Sequence, residues 1–311
     1  MSDVLQTFSN GLIVPLTEIG VLSLEGRDAV AFIHRQLTND IENLATNQAT
    51  LAAYCSPQGR VLALLTVWKQ DNHVLLAMPK DIVSAIQKRL RLFVLRDKVV
   101  ISDVSDQYQI FGICSDVKQI HKWFPDAIPT ILFAKENNEF GTLIRWFDSG
   151  NMPRWLFFTP KINQDDFPPA QLGNALLWKK MEIDAGIPRI NQACQNRFIP
   201  QMLNLEQLGG LSFTKGCYPG QEIVARVQYR GMVKSGLFKG FLANPIHNDL
   251  HITDGDALFN DVGEECGTVI MSVIDQEELS LLAVLKLQDA QSGMIHILNK
   301  NGPTLMIFSN K

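Results

Sequence analysis

Between residues 209 and 231 the chain places glycines at 209, 210, 216, 220 and 231, with Lys215, Cys217, Tyr218 and Pro219 set among them. Glycine at that density marks left-handed backbone or the close approach of another group. The stretch therefore reads as a shaped loop, not as the interior of a strand or helix. Pro219-Gly220-Gln221-Glu222 ahead of Ile223-Val224-Ala225 predicts that the loop runs into a helix. A thiol beside a helix start and a lysine is in the setting that lowers its pKa below the usual ~8.5, which makes Cys217 a candidate reactive thiol with Lys215 as its neighbour. The plain alternative, a glycine-rich turn with Cys217 as a small buried apolar residue, stays open at this point.

From Lys215 to Lys239 the cations Lys215, Arg226, Arg230, Lys234 and Lys239 face a single acid, Glu222, although the chain as a whole carries a net charge of −4. This is a local basic patch on an acidic protein. Nucleic-acid affinity rests mainly on phosphate neutralisation, so the global balance argues against strong direct RNA or DNA binding. With 311 residues, 46% of them hydrophobic and 19% charged, the chain is a folded protein of two or three domains. No apolar run approaches the ~18 residues of a membrane helix, and no secretory leader is expected from the first residues. The five cysteines are scattered without C-x-x-C spacing, which predicts free thiols in a reducing cytoplasm and no zinc site. His247 and His251 are four apart, but their stretch is loop-like and they read as surface histidines.

Hydrophobic periodicity supplies the elements. Residues 12–24 read as strand, turn, strand, and residues 28–37 as a helix. Residues 50–55 and 61–69 read as a hairpin joined by Ser56-Pro57-Gln58-Gly59, followed by a strand at 73–78. Residues 80–95 predict an amphipathic helix whose buried face holds Ile82, Ile86, Leu90 and Phe93. Strands are expected at 99–101, 108–113, 141–147 and 155–158, and helices within 117–124 and 173–185. The last ~75 residues alternate short β runs and turns with little helix, the pattern of a small β-barrel.

Lys215-Gly216-Cys217-Tyr218-Pro219-Gly220-Gln221-Glu222 resembles the K-G-C-[FY]-x-G-Q-E signature of the YgfZ family. These are folate-binding proteins tied to iron–sulfur cluster maintenance and tRNA modification, and they are related to the glycine-cleavage T-protein, an aminomethyltransferase. The likeness also covers Leu37-Thr38-Asn39-Asp40, Cys55-Ser56-Pro57-Gln58-Gly59-Arg60, Asp184-Ala185-Gly186-Ile187-Pro188 and Phe198-Ile199-Pro200-Gln201. It implies an α+β fold: a T-protein-like ring of two interleaved α+β subdomains over residues 1–235, plus a small C-terminal β-barrel over residues 236–311.

The resemblance also implies a ligand and its residues. Tetrahydrofolate or a derivative would be held by Asp184, accepting the pterin's paired N–H donors, and by Trp178 as a stacking surface. The family's other folate-associated tryptophan falls at Ile19, and Arg226 in the basic patch would meet the glutamate tail. No stably held metal is expected. The implied function is that of an accessory factor for iron–sulfur cluster assembly or repair, with iron–sulfur enzymes such as tRNA-thiolating proteins as partners and an indirect link to tRNA. T-proteins place aspartates in a pattern like G-G-x-x-D-D. Here the matching stretch is Gly59-Arg60-Val61-Leu62-Ala63-Leu64, with no carboxylate, so classical aminomethyl transfer is not expected. A one-carbon transferase on another substrate and a scaffold with a vestigial folate pocket are the alternatives.

Overall fold

A computed structural model describes residues 11–121, 124–125, 127–160, 171–243, 251–275, 278–292 and 294–309. The chain passes repeatedly between two compact units, one built from residues 1–33, 41–50 and 65–178, the other from residues 34–40, 51–64 and 179–311. In chain order the elements begin with β1 (Leu12–Pro15), β2 (Ile19–Glu25), helix α1 (Ala29–His34), β3 (Ala49–Cys55), β4 (Val61–Gln70), β5 (His73–Pro79) and helix α2 (Lys80–Arg91). They continue with β6 (Val100–Asp103), β7 (Tyr108–Cys114), helix α3 (Val117–Ile120), β8 (Lys135–Asn138), β9 (Gly141–Ser149), β10 (Met152–Pro160), β11 (Gln171–Leu172) and helix α4 (Ala175–Ala185).

One sheet has the order β11-β1-β7-β10-β9-β8 and lies in the first unit. Its central strands are buried along most of their length, so they read in sequence as continuous apolar runs instead of alternating ones. Ile13, Phe111, Ile113, Leu143, Trp155 and Phe157 form a core against Ile120 and Phe124, with Phe124 edge-on to Phe157 at 5.4 Å. A second sheet has the order β3-β4-β5-β2-β6. The predicted hairpin is its β3–β4 pair, and the turn closes through Gly59 N–H to the Ser56 carbonyl at 2.9 Å, with Gly59 at φ +70°.

The second unit contains helix α5 (Gln221–Arg230) and then β12 (Ser235–Ala243), β13 (Ala257–Phe259), β14 (Glu265–Asp275), β15 (Glu278–Lys286), helix α6 (Leu287–Ser292), β16 (Ile295–Ile297) and β17 (Thr304–Ser309). These strands close into a six-stranded barrel in the order β12-β15-β14-β13-β16-β17. Its interior is filled by Leu258, Val269, Leu281, Leu285, Ile295 and Leu305, and a bulge between Val269 and Met271 bends β14 as the barrel closes. The expected barrel is present in an α+β chain.

Three local expectations change. Helix α2 stops at Arg91 instead of 95, because the amides of Leu92 and Phe93 bond three residues back and tighten the last turn. That rotates Phe93 off the buried face and leaves it exposed. Helix α1 stops at His34 instead of 37, where the Lys215 side chain takes up the carbonyl of His34. Helix α6 appears in a region read as almost wholly β. His247 lies outside the described residues.

Candidate functional site

The signature loop belongs to the second unit and is fastened there by three sets of contacts. First, Thr38 and Asn39 stitch its glycine-rich start to strand β3. Thr38 Oγ1 donates to the Gly210 carbonyl (2.7 Å) and accepts from Ala53 N–H (2.8 Å), while Asn39 Nδ2 donates to the carbonyls of Gly209 (2.8 Å) and Leu51 (2.9 Å). Second, Lys215 is buried, and its ammonium donates to the carbonyls of His34 and Leu37, the latter at 2.6 Å. It also lies 5.3 Å from the centre of the Tyr218 ring. Third, Gly220 sits at φ +80° as the residue before α5, and a Cβ there would lie 2.5 Å from the Ser56 carbonyl oxygen and 2.6 Å from the Gly59 backbone. Only glycine allows the loop and the β3–β4 turn to touch at that point.

Within this frame Tyr218 is buried, and burial followed by the neighbouring Cys55 thiol pushes its hydroxyl above the ordinary phenol range. Gly216 and Cys217 face solvent. All five cysteines are free thiols, and Cys55, Cys114, Cys194 and Cys266 are buried whereas Cys217 is exposed. The loop therefore presents one thiol outward from a tightly held backbone. Gln221 opens α5, and Glu222 in its first turn pairs with Arg226 at 2.9 Å on the solvent side. Arg226 is thus engaged by an acid of its own helix.

The helix-end motif Asp184-Ala185-Gly186 terminates α4. Gly186 adopts φ +72°, and its amide and that of Ile187 bond back to the carbonyls of Ile183 and Glu182. Asp184 is half-buried, and its carbonyl accepts from Lys239 Nζ. Burial lowers the pKa of Lys239, with the charge of Asp184 working against that shift.

In the first unit Trp178 is fully buried. Its ring packs on Gly112, where a Cβ would lie 2.4 Å from it, and the Arg154 guanidinium carbon is 4.8 Å from its centre. The indole Nε1 is buried without a hydrogen-bond partner among the described residues. Ile19 lines a cleft of about 250 Å3 together with Leu16, Lys80, Tyr108, Gln109 and Phe111. Gln109 Oε1 is buried and has no hydrogen-bond partner among the described residues, while Lys80 pairs loosely with Asp106 at 3.7 Å. The cleft thus combines an apolar wall with the side chains of Gln109, Lys80 and Asp106. Trp178, by contrast, presents no open face for stacking. Neither Gln109 nor Lys80 carries any local sequence signal, because a lone amide or lysine is ordinary until the fold surrounds it. Ala63 and Leu64, which the resemblance sets at the T-protein carboxylate positions, are buried apolar residues of β4. Among the described residues no three or more His, Cys, Asp or Glu come together to hold a metal ion, and no helix is long and apolar enough to cross a membrane.

The tRNA-modifying protein YgfZ of Hamiltonella defensa is 29% identical over 294 residues, spanning 92% of this chain and 83% of that protein. An uncharacterized protein of Haemophilus influenzae is 31% identical over 72% of this chain and 71% of its own length, and the tRNA-modifying protein YgfZ of Enterobacter sp. is 27% identical over 95% and 91%. The chain belongs to the YgfZ family. The GCVT N-terminal domain family matches residues 3–114 of this YgfZ-family chain. Its fold is that of the glycine cleavage system aminomethyltransferase T from Bartonella henselae, with a TM-score of 0.69 at 11% identity, covering 97% of this chain and 86% of that one. The YgfZ signature is thus the loop that Lys215, Thr38, Asn39 and Gly220 hold in place.

Proposed function

We propose that this YgfZ-family protein is a folate-binding accessory factor that supports iron–sulfur cluster assembly or repair and, through iron–sulfur enzymes that thiolate tRNA, tRNA modification in the cytoplasm. The observation that carries the reading is the exposed Cys217 thiol on a backbone fixed by Lys215 and Gly220. A single thiolate does not complete a cluster, which ordinarily takes about four, so Cys217 would act transiently on iron, sulfur or an oxidised thiol. Folate is assigned to the Ile19 cleft, with Gln109 and Lys80 as its polar contacts. The apolar pair Ala63 and Leu64 argues against aminomethyl transfer, because neither side chain carries charge or a proton.

Three measurements test this. Tetrahydrofolate titrated calorimetrically into the parent should bind saturably, and Gln109→Leu should bind at least tenfold more weakly. Absence of binding in the parent would leave a scaffold with a vestigial pocket. In a strain lacking the protein, Cys217→Ala should accumulate normally yet fail to restore activity of an iron–sulfur enzyme, and full rescue would remove the thiol from the function. Turnover of tetrahydrofolate by the purified parent would favour the one-carbon transferase instead.

A further inference from the structure

Residues 88–100 read Lys88-Arg89-Leu90-Arg91-Leu92-Phe93-Val94-Leu95-Arg96-Asp97-Lys98-Val99-Val100, with five cations and one acid. Leu90 is buried and anchors the end of α2. Beyond it the apolar side chains turn outward: Leu92 is 74% exposed, Leu95 88%, Val100 63% and Phe93 40%. Isolated exposed leucines are ordinary, but four apolar groups within nine residues, rimmed by cations, form a patch.

The patch is not a frayed end. Phe93 N–H donates to the Leu90 carbonyl (3.0 Å), Val94 N–H to that of Arg91 (3.3 Å) and Asp97 N–H to that of Val94 (2.8 Å). Farther along, Lys98 N–H donates to Asp28 Oδ2 at 2.8 Å, and Gly26, at φ +119°, lies so close that a Cβ would be 2.1 Å from the Lys98 carbonyl oxygen. Arg91 and Gln87 both donate to the Ile101 carbonyl, at 2.7 and 3.1 Å, which ties α2 to the edge strand β6. In the middle of this braced turn Leu95 stands at φ +41°, a left-handed conformation that a branched side chain rarely adopts. The backbone is thus held in an unfavourable conformation that points a leucine at water, and such strain gathers where a chain is shaped to meet a partner.

We propose that this tip docks an acidic segment of a partner protein, whose apolar side chains cover Leu92 and Leu95 while its carboxylates meet Lys88, Arg96 and Lys98. Charge complementarity selects an acidic occupant, and the aliphatic anchors select protein over nucleic acid. Single-stranded RNA is gripped by aromatic faces, and the only aromatic in the patch, Phe93, is the least exposed of its apolar side chains. The braced backbone lowers the ordering cost of binding. This surface is independent of the thiol and folate readings above.

The probe is a labelled synthetic helical peptide of repeating Glu and Leu, followed by fluorescence anisotropy with the full chain, beside a Glu/Ser peptide of equal charge. The parent should bind the Glu/Leu peptide at least tenfold more tightly than the Glu/Ser peptide. Leu95→Gly and Leu92→Asp should each weaken that binding tenfold or more. Leu95→Gly should also leave the melting temperature unchanged or raised, since glycine accepts a positive φ without strain. Absence of Glu/Leu binding, or Leu95→Gly binding like the parent, would overturn the proposal, and so would a lowered melting temperature, which would make Leu95 a structural residue. Tighter binding of a tRNA or of phosphatidylglycerol vesicles that is lost in the same variants would assign another occupant and equally overturn it. So would self-association of the parent, abolished by Leu92→Asp in sedimentation.

Discussion

The ammonium of Lys215 donates to the carbonyl of Leu37 at 2.6 Å, joining the signature loop to a segment far away in the sequence. The lysine of the signature is therefore a fastener before it is anything else. Replacing it with an apolar residue of similar length leaves the Leu37 and His34 carbonyls without that donor in a buried setting. Lys215→Met should lose ~1–3 kcal/mol of stability, read by urea unfolding. Stability equal to the parent's would show that the two bonds contribute nothing.

Thiol chemistry should separate Cys217 from its four counterparts. Burial pushes the Cys55 thiol up to about 12 and, as the leading cause, those of Cys114 and Cys266 up to about 11; Cys194 is buried as well. At neutral pH Ellman's reagent should therefore titrate one thiol in the native protein and all five after denaturation. Cys217→Ser should remove the native reaction entirely. Rapid labelling of a second thiol would contradict the packing described.

Gly220→Ala asks an L-residue to adopt φ +80° with its Cβ 2.5 Å from the Ser56 carbonyl oxygen. The conformation alone costs ~1–2 kcal/mol, before the collision with the β3–β4 turn is counted. A thermal unfolding midpoint several degrees below the parent's is expected, and an unchanged midpoint would mean that the loop does not need this approach.

The barrel carries an acid-sensitive contact. Burial raises the carboxyl of Glu278, but hydrogen bonds from Lys180 and Ser280 and the Lys180 charge outweigh it and hold the group below its ordinary range. A depressed folded-state pKa adds stability that is present above the unfolded value of ~4.3 and is lost as pH falls through the folded one. The melting temperature of the parent should fall more steeply from about pH 5 to about pH 3 than that of Glu278→Gln. The difference should be modest, because the carboxylate is partly exposed. Parallel pH profiles for the two proteins would dismiss this contact.

Patterns that depend on neighbours in sequence were legible before the fold was known. Gly59 and Gly220 stand where backbone sterics demand a left-handed turn, the alternating runs after Ser235 became the closed barrel, and Gln221 opens the helix that Pro219-Gly220 announced. The signature was equally visible as a string, and so was the apolar character of Ala63 and Leu64. Phe93 was misread because helical periodicity carries no notice of where the last turn tightens.

What the string does not contain is the set of meetings between distant residues. Lys215 stands two residues from Cys217, yet its ammonium is spent on the carbonyls of His34 and Leu37. Trp178, marked for stacking, is closed in by Gly112 and Arg154, while Ile19 opens onto a cleft that Gln109 also lines. Local sterics and periodicity determined which stretches bend, extend or coil, because those preferences act between adjacent residues. The tertiary structure alone decided which polar groups are satisfied and which side chains reach water, because burial and hydrogen bonding are settled by groups brought together from far along the chain.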